Sequence, residues 1–320
     1  MSTMGIASGV AEHVQPRPPQ LPQDAEAVYV GEGAANVVFA IKLPPTTDTS
    51  LANAFQDKLL RVPKAGKGTF PYAEQQAFWE SQIKPLFRPG DLVHQSLVRM
   101  PEDNGFFVAR LNEILHERES QRRDDFVGSQ VEDVTYGMLV DDMRSTGDGD
   151  IIREFKPKWL AQSPNAPETA IRCRNCAREA LRNVEKGKRK PIFCPLNFLA
   201  STTEQSWLGA ENVLQILRAN QVRLDPGGPL NVSAHDAAFQ VAMTLRDCTV
   251  YLKIPKEPGR GVTAKLGDLD KKNWDIKLDY WRAMEQNLID GGFYEAKETP
   301  LQETDCMLIP PRIGGIYGTN

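Results

Sequence analysis

The sequence predicts an α+β protein of two lobes, with a smaller β-rich lobe at the N-terminal end and a larger α+β lobe after it. Three observations lead to this prediction. A strand, a glycine-rich turn and a second strand follow one another over residues 27–41. Apolar residues with the helical period of about 3.6 recur through the second half of the chain. The length of 320 residues provides for two ordinary domains or one large two-lobed domain.

The composition excludes several classes of protein. Hydrophobic residues make up 41% and charged residues 25%, which is typical of a folded globular chain. Apolar runs such as residues 37–41 are too short for a membrane span, and residues 1–15 lack the pattern of a secretory signal. The net charge of −4 argues against a general nucleic-acid binder. Five cysteines without a visible signal favour a reducing intracellular compartment, the nucleus or the cytoplasm.

The predicted elements divide the chain into a tail and the two lobes. Residues 1–25 contain the run QPRPPQLPQ, which is expected to form a mobile tail, and the lobes are expected over residues 26–135 and 136–320. The Pro- and Thr-rich segment before residue 58 is expected to be disordered. Further strands are predicted at residues 58–64, 135–140, 151–155 and 245–254, the middle two as a pair. Helices are predicted at residues 72–83, 105–120, 177–184, 211–219 and 279–289.

Positive charge is concentrated in one part of this acidic protein. Between Ile151 and Pro191 there are eleven Lys and Arg against four Glu, a balance of +7, which leaves −11 for the rest of the chain. Such a block indicates a local polyanion site or a solvated helix face. The solvated face is an equal alternative for residues 186–190, whereas Lys156 and Lys158, spaced within a strand-like segment, favour a polyanion site.

A glycine turn lies between the first two predicted strands. It cannot be a dinucleotide fingerprint or a Walker loop, because both need a helix directly after the glycines. In protein kinases a glycine turn in a hairpin covers the phosphates of ATP with backbone N–H groups. From this motif alone a plain hairpin turn is the favoured interpretation, and a nucleotide clamp is the alternative. The candidate nucleotide-binding residues of the turn are Gly31, Glu32, Gly33, Ala34 and Asn36.

The next strand supplies a candidate for the phosphates of a nucleotide. Lys42 ends the run FAIK and imitates the VAIK motif of protein kinases, but the kinase lysine belongs one strand later. Arg61 occupies that later strand, so Arg61 is the predicted phosphate contact and Lys42 is interpreted as an exposed lysine.

The densest charge cluster is EFKPK at residues 154–158. Strand alternation places Glu154, Lys156 and Lys158 on one side of an extended segment. Pro157 lacks an N–H group and is therefore expected at a strand end or on an edge strand. Two ammonium groups on one face repel each other unless a polyanion joins them. A salt-bridge ladder with Glu154 is the structural alternative.

The EFKPK segment resembles the EIKPK signature of the inositol-pentakisphosphate 2-kinases, which make inositol hexakisphosphate from ATP. Other marks of that family follow in the right order over residues 28–280. They are GEGAAN at 31–36, LLRV at 59–62, LVRM at 97–100, FCPLNF at 193–198, RDCTV at 246–250 and DLD at 268–270. The resemblance implies a two-lobed kinase-like fold with an inositide-binding C-terminal lobe. It also implies ATP and Mg²⁺ as cofactors, a monomer, and inositol 1,3,4,5,6-pentakisphosphate as the small-molecule partner.

The resemblance also implies roles for individual residues. Asp247 is the expected general base for the attacking 2-hydroxyl, and Lys156 is expected between the γ-phosphate and that hydroxyl. Asp268 is the expected Mg²⁺ ligand, with Asp247 as a second candidate. Arg61 and Glu154 join the glycine turn in nucleotide binding. The expected substrate ligands are Arg99, Lys158, Arg178, Arg182, Asn220, Gln221, Arg223, Lys272 and Tyr280.

Three of these ligands depart from the family pattern. Gln221 stands where the family usually has an asparagine, and it offers similar donors. Arg178 replaces a common histidine and Arg182 a common lysine. Arginine keeps the positive charge and can contact a phosphate through two N–H groups, so phosphate binding is still expected.

The Cys173-x-x-Cys176 motif raises the question of zinc. A zinc site needs two further ligands, and Cys194 alone is near in sequence. The four histidines show no spacing to a cysteine that would complete a site. Two free thiols at a helix end are therefore the favoured interpretation.

Two rival functions remain from the sequence. One is a non-catalytic inositide-binding scaffold, and the other is a kinase for a less phosphorylated inositol or for a protein. A pure binder of polyanions gains nothing from two acids beside its ligand, so the presence of both Asp247 and Asp268 favours a kinase.

Overall fold

The computed structural model describes residues 17–144, 149–199, 211–233, 235–257 and 261–308. Within these residues the protein is α+β, as predicted, with two β-sheets and seven α-helices. The strands are β1 (Glu26–Glu32), β2 (Asn36–Lys42), β3 (Lys58–Pro63), β4 (Gln95–Arg99), β5 (Tyr136–Asp141), β6 (Ile151–Phe155), β7 (Thr249–Ile254) and β8 (Thr263–Gly267). The helices are α1 (Thr49–Phe55), α2 (Tyr72–Phe78), α3 (Asn104–Glu117), α4 (Arg174–Glu185), α5 (Glu211–Arg223), α6 (Ala237–Leu245) and α7 (Trp274–Asp290).

The chain forms two compact units. Among the described residues, the first unit contains 17–65 together with 96–139, and the second contains 66–95 and the described residues between 140 and 308. The segment 66–95 thus belongs to the second unit, whereas the sequence division placed it in the N-terminal lobe. The segment pairs with a strand of the second unit, because Leu92 forms a β-bridge with Leu266 and the N–H of Val93 donates to the carbonyl of Leu266.

The first unit is built on a five-stranded sheet in the order β1-β2-β3-β5-β4. β1 and β2 form the predicted hairpin, with Glu26 paired to Lys42 and an irregularity in register between Tyr29 and Gly31. Alternation along β2 buries Val37 and Phe39 completely. Helix α3 contributes buried apolar side chains to the same core, so the helix and the sheet share one hydrophobic cluster.

Two expectations for the first unit are wrong in part. The segment before residue 58 is not disordered, because it contains α1, whose first turn is capped by the Asp48 carboxylate accepting from the N–H groups of Ser50 and Leu51. The end of the Pro-rich tail packs against the first unit, since the side chain of Leu21 is buried and its N–H donates to the carbonyl of Arg99. Residues 1–16 lie outside the described residues.

The second unit contains a three-stranded antiparallel sheet in the order β6-β7-β8. Its register pairs Phe155 with Val250 and Thr249 with Gly267. The end of β6, the start of β7 and the end of β8 therefore lie side by side at one end of the sheet. β6 is an edge strand that ends two residues before Pro157, as the missing N–H of proline requires.

The pairing of the second unit corrects two predictions. β5 and β6 are both strands, but they belong to different sheets and do not pair with each other. The predicted strand at residues 245–254 is a strand only from Thr249 onward, since Leu245 ends α6. Among the described residues, no helix is long and apolar enough to cross a membrane.

Cys173 and Cys176 are free thiols at the start of α4, as expected. Cys194 and Cys306 pack against them in one cluster, which the sequence did not indicate. The four residues are called the four-cysteine cluster below.

Candidate active site

Five charged residues of the second unit lie together at this end of the three-stranded sheet. They are Lys156, Lys158, Asp247, Asp268 and Lys272, and they are called the lysine–aspartate cluster below. The two lysines at 156 and 158 follow β6, Asp247 precedes β7, and Asp268 follows β8 directly. The strand register thus brings together residues that lie more than 100 positions apart in the chain.

Asp247 lies among three ammonium groups. Its Oδ1 accepts from Nζ of Lys158 at 2.9 Å, and its Oδ2 accepts from Nζ of Lys272 at 2.8 Å. Nζ of Lys156 lies 3.8 Å from Oδ1. Burial alone would raise the pKa of the Asp247 carboxyl, but the lysines outweigh it and hold that pKa well below its ordinary value. Asp247 is therefore a carboxylate and a hydrogen-bond acceptor at neutral pH.

Lys156 links the two aspartates. Its Nζ donates to Oδ2 of Asp268 at 2.6 Å and to the backbone carbonyl of Asp247 at 2.7 Å. Burial would lower the pKa of this ammonium, and the charges of Asp268 and Asp247 raise it above its ordinary value. Lys156 is thus a fixed positive charge at the point where the end of β6 faces the end of β8.

Backbone geometry and α6 hold the cluster in place. Lys158 and Asp268 have φ angles of 55° and 56°, in the left-handed region that residues other than glycine adopt less often. Helix α6 fixes the segment after β8, because Gln240 donates to the carbonyl of Lys272 at 2.7 Å. Thr244 donates to the carbonyl of Asp270 at 3.0 Å. Backbone conformations of this kind occur more often at functional sites than elsewhere in proteins.

The cluster is suited to an anion. Three ammonium groups against two carboxylates leave one positive charge. The side chains of Lys158 and Asp247 are 41% and 45% exposed, so a ligand can reach them. A polyanion brought here would compete with the two carboxylates for the lysines.

Asp268 and Asp247 are the two predicted Mg²⁺ ligands. The Asp268 carboxylate is 41% exposed and supplies the hard oxygen donors that Mg²⁺ prefers, to be completed by phosphates and water. Both oxygens of Asp247 accept from lysines, and one oxygen of Asp268 accepts from Lys156. A cation would have to displace an ammonium group at either carboxylate, so Asp268, which engages fewer lysines, remains the first candidate and Asp247 the second.

Three predicted substrate ligands lie at the end of α5. Gln221 is buried, its Oε1 accepts from the N–H of Leu160 and its Nε2 donates to the carbonyl of Lys158, both at 2.9 Å. Its amide therefore supports the position of Lys158, and a direct contact of Gln221 with the substrate remains a prediction. Asn220 is also buried and accepts from the exposed Arg223 at 3.0 Å, which leaves Arg223 as the residue that faces solvent.

The other ligand candidates of this unit lie on helices and on β6. Arg178 and Arg182 extend from α4, and Glu179 between them lies 3.5 Å and 3.6 Å from their guanidinium groups. Tyr280 is half exposed on α7. Glu154 is exposed on β6 opposite Tyr251. Among the described residues, no hydrogen bond or ion pair joins Arg178, Arg182, Tyr280 or Glu154 to the lysine–aspartate cluster.

The glycine turn of the first unit closes through the N–H of Gly33, which donates to the carbonyl of Asn36 at 2.9 Å. Glu32 is predicted as a nucleotide ligand, and its carboxylate is engaged in ion pairs within the protein. Its buried carboxylate accepts two hydrogen bonds from Arg122, at 2.8 and 2.9 Å, and lies 2.6 Å from Nζ of Lys64. Burial would raise the pKa of Glu32, but these two cations lower it. Glu32 therefore stabilises the base of the turn.

The remaining candidates of the first unit lie along its sheet. Ala34 is an exposed residue at the tip of the turn. Arg61 is 8% exposed on β3, opposite Val38. Arg99 is exposed at the end of β4, where its backbone pairs with Pro19 and Leu21. Nucleotide binding by the turn and by Arg61, and substrate binding by Arg99, remain predictions.

A buried network behind the cluster was not foreseen from the sequence. Trp159 follows Lys158, and the guanidinium groups of Arg246 and Arg174 lie 3.4 Å and 4.2 Å from its ring centroid. Arg246 pairs with Asp225, and Arg174 donates to Glu285 at 2.7 Å. The available signal was an arginine directly before Asp247, in an apolar segment where an unpaired charge could not be buried.

A known protein family matches this chain over most of its length. The family model described as inositol-pentakisphosphate 2-kinase matches residues 29–223 and 205–287, which include the whole lysine–aspartate cluster. A protein of Yarrowia lipolytica (strain CLIB 122 / E 150) named inositol-pentakisphosphate 2-kinase is 32% identical over 177 residues. That alignment covers 48% of this chain and 56% of the relative, so the chain spans little more than half of the relative's length.

Proposed function

The chain belongs to the inositol-pentakisphosphate 2-kinase family, and on that premise we propose that it transfers the γ-phosphoryl group of ATP to an inositol pentakisphosphate. The acceptor is the 2-hydroxyl of inositol 1,3,4,5,6-pentakisphosphate, and the product is inositol hexakisphosphate. The observation that carries the proposal is the ionised Asp247 held among Lys156, Lys158 and Lys272. One acceptor for a proton and several donors for phosphates lie within a few ångströms of each other.

Asp247 is the group that receives the proton of the attacking hydroxyl. In phosphoryl transfer the hydroxyl proton leaves late, when the oxygen is already bonding to phosphorus, so a carboxylate of low pKa suffices as acceptor. When phosphates of the substrate engage Lys158 and Lys272, the ion pairs of Asp247 weaken and its pKa rises toward the ordinary range. The polyanionic substrate therefore makes its own base stronger on binding.

Lys156 is placed to stabilise the transferred phosphoryl group. Its ammonium lies beside Asp247 on one side and Asp268 on the other. A positive charge fixed between the acceptor and the metal ligand matches the negative charge that the equatorial oxygens carry during transfer. Mg²⁺ held by Asp268 would neutralise charge on the β- and γ-phosphates when nucleotide is bound.

Nucleotide binding is assigned to the unit that carries the glycine turn, as in a kinase-like fold. Gly31 and Gly33 have no positive φ, and a Cβ built on either meets no atom within 4 Å. Neither the backbone conformation nor packing therefore requires glycine at these positions. Close approach of a phosphate to the backbone N–H groups would explain why glycine stands at both positions.

The exposed cations are assigned to substrate phosphates. Five phosphate groups carry far more charge than the lysine–aspartate cluster can neutralise. Arg223 faces solvent near the buried Gln221, and Arg178 and Arg182 extend from α4. A scaffold without activity would not need Asp268 paired with Lys156, and this pair favours the kinase over a pure binder.

The direct test is to incubate the purified chain with ATP, Mg²⁺ and a panel of inositol phosphates, and to separate the products by anion-exchange chromatography. We expect inositol hexakisphosphate from the pentakisphosphate with a free 2-hydroxyl, and slower turnover of acceptors with fewer phosphates. Binding of the pentakisphosphate without any product, with ATP and Mg²⁺ present, would contradict the proposal and support a scaffold. Turnover of a less phosphorylated inositol alone would contradict the substrate.

A further inference from the structure

Four cysteine sulfurs from three separate chain segments converge in the second unit. Cys173 and Cys176 lie at the start of α4, Cys194 follows that helix, and Cys306 lies near the end of the described chain. All four sulfurs lie within 4.8 Å of one another. Neither the family match nor the proposed reaction accounts for this convergence, and the inference drawn from it does not depend on that reaction.

We propose that the four-cysteine cluster binds one Zn²⁺ ion with tetrahedral geometry. A Zn–S bond is about 2.3 Å long, so the sulfurs of a tetrahedral site lie about 3.8 Å apart. The distance from Sγ of Cys173 to Sγ of Cys194 is 3.8 Å, and that from Cys194 to Cys306 is 3.9 Å. A disulfide would need a separation of about 2.05 Å, so these sulfurs are spaced for a shared metal ion and not for a covalent bond.

The surroundings of the sulfurs support thiolate ligands. The N–H of Cys173 donates to Sγ of Cys306 at 3.1 Å, and the N–H of Met307 donates to Sγ of Cys194 at 3.4 Å. Such N–H donors offset the negative charge that four thiolates keep around a divalent ion. Ile192, Leu196 and Leu308 pack against the cluster and limit the access of water.

The set of ligands makes the site structural. All four tetrahedral positions are filled by protein sulfur, which leaves none for a substrate or a water molecule. Cys173, Cys176 and Cys194 are buried, with at most 1% of their surface exposed. Four sulfur ligands suit zinc or iron and exclude the hard cation Mg²⁺, so the site is chemically distinct from Asp268.

The metal would join the far end of the chain to the start of α4. Cys306 lies 133 residues after Cys173, and the buried Arg172 already ties this region together by pairing with Glu298 at 2.8 Å. A bound ion would therefore fix the helix that carries Arg174 beneath Trp159 and Arg178 at its surface. We expect metal loss to loosen α4 and the segment that ends at Cys306 before the rest of the unit.

Metal analysis of the full purified chain tests the proposal directly. We expect about one zinc per chain by inductively coupled plasma mass spectrometry, and release of that zinc when a mercurial reagent titrates the thiols. After replacement of zinc by Co²⁺, we expect the visible absorption of a tetrahedral cobalt centre with sulfur ligands. Iron at the same stoichiometry, or a folded chain that takes up neither zinc nor cobalt, would overturn the proposal.

A matched pair of variants locates the site. Cys306→Ser should lose at least tenfold in zinc affinity and lower Tm by roughly 5–10 °C, since the bound ion stabilises only the native state. Cys248→Ala is the control, because Cys248 is a buried cysteine that lies in a different core cluster. It should retain one zinc. Loss of zinc in the control and not in Cys306→Ser would overturn the assignment.

The cobalt spectrum keeps the test decisive if a variant fails to fold. Because it is recorded on the native chain, it needs no substitution. A spectrum with fewer than four sulfur ligands would contradict the four-cysteine cluster. A failure of the proposed kinase reaction would leave all of these measurements unaffected, so the two proposals can fail separately.

Discussion

The guanidinium of Arg246 lies over the ring of Trp159, 3.4 Å from its centroid. Arg246 directly precedes Asp247 and Trp159 directly follows Lys158, so this contact joins the two chain positions that form the ion pair of the site. Burial lowers the pKa of Arg246 to about 10, and the pairing with Asp225 opposes this effect. The guanidinium thus stays charged while it is fully enclosed.

Replacing Arg246 should damage both stability and the site. Arg246→Met leaves Asp225 as an uncompensated buried charge, which costs about 3–5 kcal/mol in the free energy of unfolding. The loss would be measured by urea denaturation. Arg153→Met is the control, because Arg153 is exposed on β6, and its effect should stay within about 0.5 kcal/mol. An equal small effect of both variants would contradict a structural role for the Arg246–Trp159 contact.

Asp247→Asn should separate chemistry from binding. The amide keeps the shape of the carboxylate but cannot take the proton, so turnover should fall roughly 10²–10⁴-fold. Binding of the inositide, measured by calorimetry, should be retained or strengthened, because Lys158 and Lys272 lose their negative partner. Asp125→Asn, at a side chain that is 74% exposed in the first unit, is the control. Near-normal turnover of Asp247→Asn would remove Asp247 from the role of base.

Asp268→Ala should abolish Mg²⁺-dependent turnover and leave the fold intact. Its carboxylate is partly exposed and pairs with Lys156, so the protein loses a metal ligand without a cavity in its core. The measurement is the rate as a function of Mg²⁺ concentration, with circular dichroism as the check of folding. An unchanged Mg²⁺ dependence would place the metal ligand elsewhere, with Asp270 as the next candidate.

The pH dependence of stability and the titration of Asp247 should both reflect the lysines around this carboxylate. Because the folded pKa of Asp247 is lowered, its ion pairs contribute stability above the ordinary aspartate pKa of about 3.9. That contribution is lost as the pH falls through the lower folded pKa. We expect Lys272→Met to raise the pKa of Asp247, observed by carboxyl NMR, and Lys186→Met, in the exposed basic block, to leave it unchanged. Identical titrations in both variants would contradict the proposed coupling.

Gln221 and Arg223 should give opposite results. Gln221→Ala removes a buried amide and leaves the carbonyl of Lys158 and the N–H of Leu160 without this partner, which costs about 2–4 kcal/mol in stability. Arg223→Ala should weaken inositide binding severalfold and change stability by less than about 0.5 kcal/mol. Thermal unfolding and calorimetry on both variants would measure this contrast. If Gln221→Ala lost affinity at full stability, Gln221 would be a ligand after all.

The sequence predicted best what local patterns and a conspicuous motif could carry. EFKPK, Asp247 and Asp268 were recognised as a set, and the strand register does place Lys156, Asp247 and Asp268 together. The glycine hairpin was also correct, because alternation and small residues are local signals.

What the sequence missed depends on contacts between distant segments. The partners of Glu32 are 32 and 90 positions away, so its burial with Lys64 and Arg122 had no local signature. Cys306 joins Cys173 across 133 positions. Helix α6 and β7 follow each other in one apolar run, so period alone could not separate the end of the helix at Leu245 from the strand.

The left-handed backbone at Lys158 and Asp268 has a consequence for anyone who selects variants of this protein. Glycine would relax the strain at both positions, by an amount on the order of 1 kcal/mol, while it deletes an ammonium or a carboxylate from the site. Because the lost ion pair with Asp247 or Lys156 opposes this gain, a library sorted for thermal tolerance should accept glycine at 158 and 268, whereas one sorted for product would discard it. Opposite outcomes in two such selections would mark the residues at which this fold gives up stability for catalysis.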